Sequence, residues 1–374
     1  MDDKVVKVHP LTRLQRLGLA VLLVLAAFLI GGAIFIWSGI YNIAANRDHL
    51  TITTWLITIL RDQSITGAAQ DVDVPDLSDA GLVALGAQHY LTGCADCHGT
   101  PGEPNNPVFT SMLPRPPDLT DAARNYPASE LYTIVHNGLK YSGMPAWPAP
   151  ERSDEVWALI AFIEALNAQG PEFYTDMLAG LSRPALSKPG TMPDGIETCT
   201  RCHGDDQSGP IDELVPRLSG QSHDYLKRAL EEYRAETRAS GFMAPIAHGM
   251  SDAEIEDLAT YYAALGSPET AEPDGGEEFE EGQNIVLHGI PEADVPACVT
   301  CHLGANAQFP RLEGQSAAYL MGQLQVWRHG LRDDTGYGAI MAAIARRLTP
   351  QQIEAVSTYL ASLPAPQPVA EDEP

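Results

Sequence analysis

The pentapeptide C-x-x-C-H occurs three times in this chain, as Cys94-Ala95-Asp96-Cys97-His98, Cys199-Thr200-Arg201-Cys202-His203 and Cys298-Val299-Thr300-Cys301-His302. The pattern constrains the fold because two thiols about one helical turn apart can add to the two vinyl groups of a haem, while the adjacent imidazole meets the iron. A single copy would equally suit a redox dithiol, a zinc half-site or a disulfide. Three copies use all six cysteines with none left over. They point to three covalently bound haem c groups, held by Cys94 and Cys97, Cys199 and Cys202, and Cys298 and Cys301. His98, His203 and His302 are the metal ligands this predicts.

The motifs stand about a hundred residues apart in a chain of 374, which implies three small units. A unit of that size buries little core by itself, and a covalently held haem supplies the missing apolar volume. The formal net charge is -26. That makes nucleic acid an unsuitable partner and fits either solubility or docking to a basic face on another protein.

The first residues have a different character. Leu17 to Ile40 contains no charged residue, and as a helix it would span roughly 36 Å, enough to cross a bilayer. Lys4, Lys7, Arg13 and Arg16 precede it against Asp2 and Asp3. The positive-inside rule then puts the N-terminus in the cytoplasm and the rest outside. A cleaved signal peptide is the competing reading, but the apolar run is long for one and Ala44-Ala45 is a weak cleavage site. Residues 1–45 are therefore expected to be an anchor, and 46–76 a linker. Within the linker, Leu50 to Leu60 is apolar but too short to span. It suits an interfacial helix with Trp55 as aromatic anchor, or a helix packed on the first unit.

The first unit is expected over 77–168. Asp76, Ser78 and Asp79 are N-cap candidates for a helix running to about Thr92. A loop with Pro114, Pro116 and Pro117 follows the motif, Leu131 to Gly138 has helical character, and Asp154 to Leu166 is an amphipathic closing helix with Trp157, Ile160 and Ala161 inward. Residues 169–190, with Gly170, Pro171, Pro184, Pro189 and Gly190, are expected to be a linker. The second unit spans 191–265, an acidic linker 266–277, the third unit 278–363, and a disordered tail 364–374. The second and third units are internal repeats. PRLSGQSHDYL from Pro216 aligns with PRLEGQSAAYL from Pro310, and Tyr233-Arg234 with Trp327-Arg328. Further on, Met243 aligns with Met341 and Tyr261 with Tyr359.

Whether each iron is closed decides the chemistry. An iron with His alone is open to gas or peroxide, whereas His with Met gives a closed, higher-potential couple suited to electron transfer. A ligating Met belongs in the second half of its unit, before the closing helix. Gly143-Met144-Pro145-Ala146-Trp147 meets that condition, since Gly and Pro hold an irregular loop. Met112 is the rival. In the second unit Met243 and Met250 both qualify by position, but Met243 aligns with Met341 whereas Met250 aligns with Leu348. Met144, Met243 and Met341 are thus the predicted second ligands, and Met321 is expected in the core. His136, His248 and His329 are the alternatives that would give bis-His irons. Arg217 and Arg311 are candidates to pair with haem propionates. Tyr225, Tyr319, Tyr233 and Trp327 are expected around the haem edges.

Residues 190–363 resemble the dihaem cytochrome c4 family through P-R-L-x-G-Q-S-x-x-Y-L and M-A-x-I-A-x-x-[ML]-[ST]. Residues 77–166 resemble membrane-anchored monohaem cytochromes with C-x-x-C-H-G, P-P-D-L and G-M-P-A-W, here Cys94 to Gly99, Pro116 to Leu119 and Gly143 to Trp147. The resemblance implies an all-α chain, a transmembrane helix followed by three class I cytochrome c domains. It implies a non-enzymatic electron carrier in a respiratory chain, anchored in a bacterial inner membrane with its haem domains in the periplasm. The expected donor is a quinol-oxidising complex or a dehydrogenase, and the expected acceptor a terminal haem-copper oxidase. The cytochrome subunit of a periplasmic dehydrogenase is the nearest alternative, and a haem enzyme such as a peroxidase a more distant one. One departure stands out: little chain precedes Cys199 in which to form a first helix, so that haem would be more exposed or covered by a neighbour.

Overall fold

The structure, a computed structural model, describes residues 12–44, 47–181, 196–205, 209–266, 277–302 and 306–365. Lys4 and Lys7, most of the two inter-unit linkers and nearly all of the tail lie outside the described residues. The fold is all-α, and one isolated bridge between Ile290 and Val295 is the extended pairing found among the described residues.

Helix α1 (Arg13–Trp37) is uninterrupted over 25 residues and buries none of them. A capping box between Thr12 and Gln15 sets its start. Helix α2 (Thr51–Ala68) is longer than the apolar run predicts. Its far end packs on the first haem unit, where Ile65 is buried and Thr66 Oγ1 donates to Glu130 at 2.8 Å. Its near half leaves Ile52, Trp55, Leu56 and Leu60 exposed.

The first unit begins with α3 (Ala80–His89), capped by the Asp79 side chain, and passes through a π-turn over Tyr90–Cys94 into α4 (Ala95–His98). Short helices α5 (Pro107–Thr110) and α6 (Ala122–Asn125) flank the proline-rich loop. Helix α7 (Ala128–Asn137) then leads to α8 (Val156–Gln169), the closing helix the apolar pattern predicts. Helices α3 and α8 cross at Gly86, where a Cβ would collide with the Ala158 carbonyl. Glycine is required there because only hydrogen fits between the two backbones.

The 169–190 segment differs from expectation in its first half. Pro171–Leu181 forms helix α9, and Tyr174 is buried in the first core against Tyr90 and Phe162. Proline is tolerated in a first helical turn, where its missing N–H would lack an intrahelical partner anyway. Phe173, Tyr174 and Met177 then supply the apolar contacts.

Among the described residues the second unit starts at Ile196 and goes straight into α10 (Glu197–His203), followed by α11 (His223–Arg234), α12 (Met243–His248) and α13 (Asp252–Ala264). Where a first helix would pack, the first unit intervenes: Leu85 and Ala158 bury against Val215, with Leu82, Ile211 and Cys202 at the edge. The third unit has its own first helix, α14 (Glu277–His288), then α15 (Val299–His302), α16 (Ala317–Arg328), α17 (Gly336–Ala345) and α18 (Pro350–Ser362). Helices α14 and α18 cross at Gly282, whose Cβ would strike the Ala355 carbonyl, as in the first unit.

The repeat is visible in atoms as well as letters. Arg234 Nη1 donates to the Met250 carbonyl at 3.0 Å, and Arg328 Nη1 to the Leu348 carbonyl at 2.8 Å. The two copies face each other through reciprocal amides. Gln221 accepts from Arg311 N at 2.9 Å and donates to its carbonyl at 2.7 Å, and Gln315 does the same with Arg217 at the same distances. Both glutamines are buried.

Candidate haem centres

Each motif runs into or lies on a short helix, α4, α10 or α15, that ends at its histidine, and one arrangement recurs three times. His98 Nδ1 lies 2.8 Å from the Pro117 carbonyl, His203 Nδ1 2.9 Å from Pro216, and His302 Nδ1 2.8 Å from Pro310. A carbonyl only accepts, so Nδ1 must carry the proton and Nε2 keeps its lone pair. This contact fixes tautomer and ring orientation in the manner metal-ligating histidines use. Burial pushes all three imidazoles down, with the proline carbonyl partly opposing it. The neutral, ligating form is thereby favoured.

The six cysteines are unpaired. Burial pushes the Cys94 thiol up to about 12 and the Cys199 and Cys298 thiols up to about 11. A redox dithiol needs the opposite shift. Among the described residues no cluster of three or more His, Cys, Asp or Glu could hold a metal ion.

A continuous cavity of about 1410 Å³ runs through the three units, and all twelve predicted cysteine, histidine and methionine residues line it. Met144 sits in a loop anchored at its base. Leu139 N donates to the Met144 carbonyl at 3.2 Å and Trp147 N to the His136 carbonyl at 3.0 Å. Met112 also lines the cavity, with its methyl against Gly143. Met243 opens α12, whereas Met341 lies within α17. Met250 lines the cavity but packs on the second core beside α13. Met321 packs with the Leu324 and Ala345 cluster. Among the alternative ligands, His136 has both ring nitrogens engaged, with Asn137 Oδ1 at 2.8 Å and the Pro150 carbonyl at 2.9 Å. His248 is exposed near Glu236, and His329 lines the cavity.

The residues present suit a haem with propionates. Arg217 Nε and Nη1 and Arg238 Nε are buried without a hydrogen-bond partner, and no carboxylate pairs with Arg217, Arg238 or Arg332 among the described residues. Arg238 stacks on Tyr233 and Arg332 on Trp327, each at 4.4 Å. Burial and the Arg238 guanidinium push Arg332 down. Buried, uncompensated guanidinium groups are costly, and anionic carboxylates entering the same cavity would relieve them. Arg311 also lines the cavity, and its Nη1 donates across the repeat to the Gly220 carbonyl at 3.1 Å. Arg238 and Arg332 were findable in the sequence, because they stand at the same 94-residue offset as Pro216 and Pro310 and as Tyr233 and Trp327.

Helical units with paired thiols, a carbonyl-fixed imidazole and a shared apolar cavity define a multihaem c-type cytochrome. Comparison with known proteins agrees. Residues 81–163 match the family model for cytochrome c oxidase, cbb3-type, subunit III, and residues 196–265 and 280–364 match that for cytochrome c. The chain belongs to the cytochrome c family. It is 34% identical over 213 residues to a thiosulfate dehydrogenase electron acceptor of Stutzerimonas stutzeri, covering 56% of this chain and 92% of that protein. A protein of the same description from Thiomonas intermedia is 35% identical, over 46% of this chain and 81% of its own. Cytochrome c4 of Thiocapsa roseopersicina is 37% identical, over 44% of this chain and 86% of its own. Cytochrome c domains bind haem c covalently, and this chain is an electron-transfer protein.

Proposed function

We propose that this chain is a membrane-anchored trihaem relay that accepts electrons from a dehydrogenase, with thiosulfate dehydrogenase the first candidate, and passes them toward a terminal oxidase. The similarity of this chain to thiosulfate dehydrogenase electron acceptors, over 92% of the length of one of them, carries the donor side. The match of residues 81–163 to an oxidase subunit model favours an oxidase as acceptor. Bound haem iron would supply a one-electron couple at each of three sites.

The chain's own residues do the rest. Cys94 and Cys97, Cys199 and Cys202, and Cys298 and Cys301 form the thioethers. His98, His203 and His302 would offer Nε2 to the iron, and Met144, Met243 and Met341 would each supply a thioether sulfur as the other protein ligand, which suits electron transfer rather than substrate binding. Arg217, Arg238 and Arg332 hold the propionates. Helix α1 anchors the chain in the inner membrane with the N-terminus cytoplasmic and the haem units in the periplasm.

The test is reduction of the full ferric chain, in mild detergent, by thiosulfate and thiosulfate dehydrogenase. Complete reduction of all haems within the enzyme's turnover is expected. Reduction by a quinol-oxidising complex but not by the dehydrogenase would move the donor to the quinol pool and overturn the dehydrogenase assignment.

A further inference from the structure

One buried carboxylate joins the first and second haem units. Glu155 belongs to the turn that starts α8 and is almost fully enclosed, with 8% of its side chain exposed. Its Oε1 accepts from Ser240 Oγ at 2.7 Å and meets Arg152 Nη2 at 3.1 Å. Its Oε2 accepts from Gly241 N at 2.6 Å and from the Trp147 indole N–H at 3.4 Å. Arg152, itself buried, is gripped by Asp154 and donates across the junction to the Ala239 carbonyl at 3.2 Å.

The groups that converge on Glu155 come from two methionine-bearing segments. Trp147 stands three residues after Met144. Ser240 stands three residues before Met243, and its hydroxyl accepts from Met243 N at 3.1 Å and Phe242 N at 3.3 Å. Arg152, Glu155, Ser240 and the Met243 amide therefore form one hydrogen-bonded chain, and such chains polarise cooperatively in a low-dielectric site. The contact is close enough to require glycine at 241, where a Cβ would strike the Trp147 ring. Phe242 seals the junction by packing edge-on against Trp147 at 4.8 Å and face-on against His89.

The repeat provides an internal contrast. In the third unit the helix carrying Met341 is capped within itself, by Thr335 Oγ1 accepting from Gly338 N at 2.9 Å. Ile340, aligned with Phe242, is exposed.

We infer that Glu155 is a positioning residue that sets the methionine ligation of the second haem from the first unit and ties it to that of the first haem, leaving the third independent. This inference rests on His/Met ligation of all three irons.

The experiment uses the full holoprotein and follows the three hyperfine-shifted axial methionine methyl resonances of the ferric state, with the redox titration of each haem alongside. Glu155→Ala is expected to displace or abolish the Met243 signal, to displace the Met144 signal, and to leave that of Met341 in place. Glu155→Gln should give a smaller change of the same pattern, because an amide oxygen still accepts while its NH2 opposes one of the donors. Ser240→Ala in the Glu155→Ala background should add little to the Met243 change, since both act through one chain. Where Glu155→Ala fails to fold, Ser240→Ala and Trp147→Phe provide the same readout. Unmoved Met144 and Met243 signals and midpoints, or equal displacement of all three, would overturn the inference. If wild-type protein lacks three methionine signals, the ligation reading itself has failed, which is a separate result.

Discussion

The second and third units share one sequence pattern, one arginine-to-carbonyl clamp and one reciprocal glutamine interface, yet their methionine segments stand in different surroundings. The second lacks a first helix of its own among the described residues. Its exposed flank is covered by Leu82, Leu85 and Ala158, and its methionine segment by Trp147 and Glu155. The third has its own first helix and leaves Ile340 open. The difference shows that the tandem pair is built asymmetrically: one copy is completed by the first unit, and the other leaves the equivalent face open.

Substitutions can break this comparison, and the largest effect belongs to the ligands. Met243→Ala should remove one methionine-ligated haem, seen as loss of part of the methionine–iron charge-transfer band, whereas Met250→Ala should retain all of it. Gln315→Ala leaves the Arg217 amide and carbonyl unpaired and should weaken the contact between the second and third units by about 1–3 kcal/mol. Denaturant-dependent amide exchange would show it as those units opening before the junction with the first. Phe242→Ala should weaken the junction between the first and second units by about 1–2 kcal/mol, from a half-buried aromatic. Ile340→Ala at the aligned position should change stability by no more than about 0.5 kcal/mol in either direction.

The smallest effect separates the copies by pH. In α13 the capping box pairs Ser251 with Glu254, and the backbone and hydroxyl hydrogen bonds from Ser251 hold the Glu254 carboxyl below its usual range. Such a group stabilises fully above its unfolded value of about 4.3, and that contribution is lost as pH falls through the folded value. In α18 the corresponding box is Thr349 with Gln352, which does not titrate. Acidification should therefore lower the amide protection factors, taken relative to the intrinsic exchange rate at each pH, in the first turn of α13 and leave those of α18 unchanged.

Much of the fold was legible. The closing helix α8 follows from the apolar spacing of Asp154 to Leu166 and the cap of α3 from Asp79, whereas the short stretch before Cys199 left the flank of the second unit either exposed or covered, and Leu85 and Ala158 cover it. The candidate site was legible as far as the residues that share the cavity, because thioether chemistry demands fixed spacing, and the repeat offset is what favours Met243 over Met250 as the proposed ligand. Helix α9 was hidden, since Pro171 and Gly170 signal a break and only the buried Tyr174 shows that the chain returns to the core. Glu155 was hidden for a different reason. An acidic residue at a helix start is ordinarily explained by the helix dipole, and its partners lie some 85 residues away. No local pattern encodes a contact of that range.

The central claim is that all three motifs carry closed His/Met haems. It is tested most directly on the purified ferric holoprotein by counting covalent haems per chain alongside axial methionine methyl resonances. The account predicts three haems and three methionine signals. Fewer haems than motifs, or a high-spin iron that binds cyanide or carbon monoxide without displacing methionine, would contradict it.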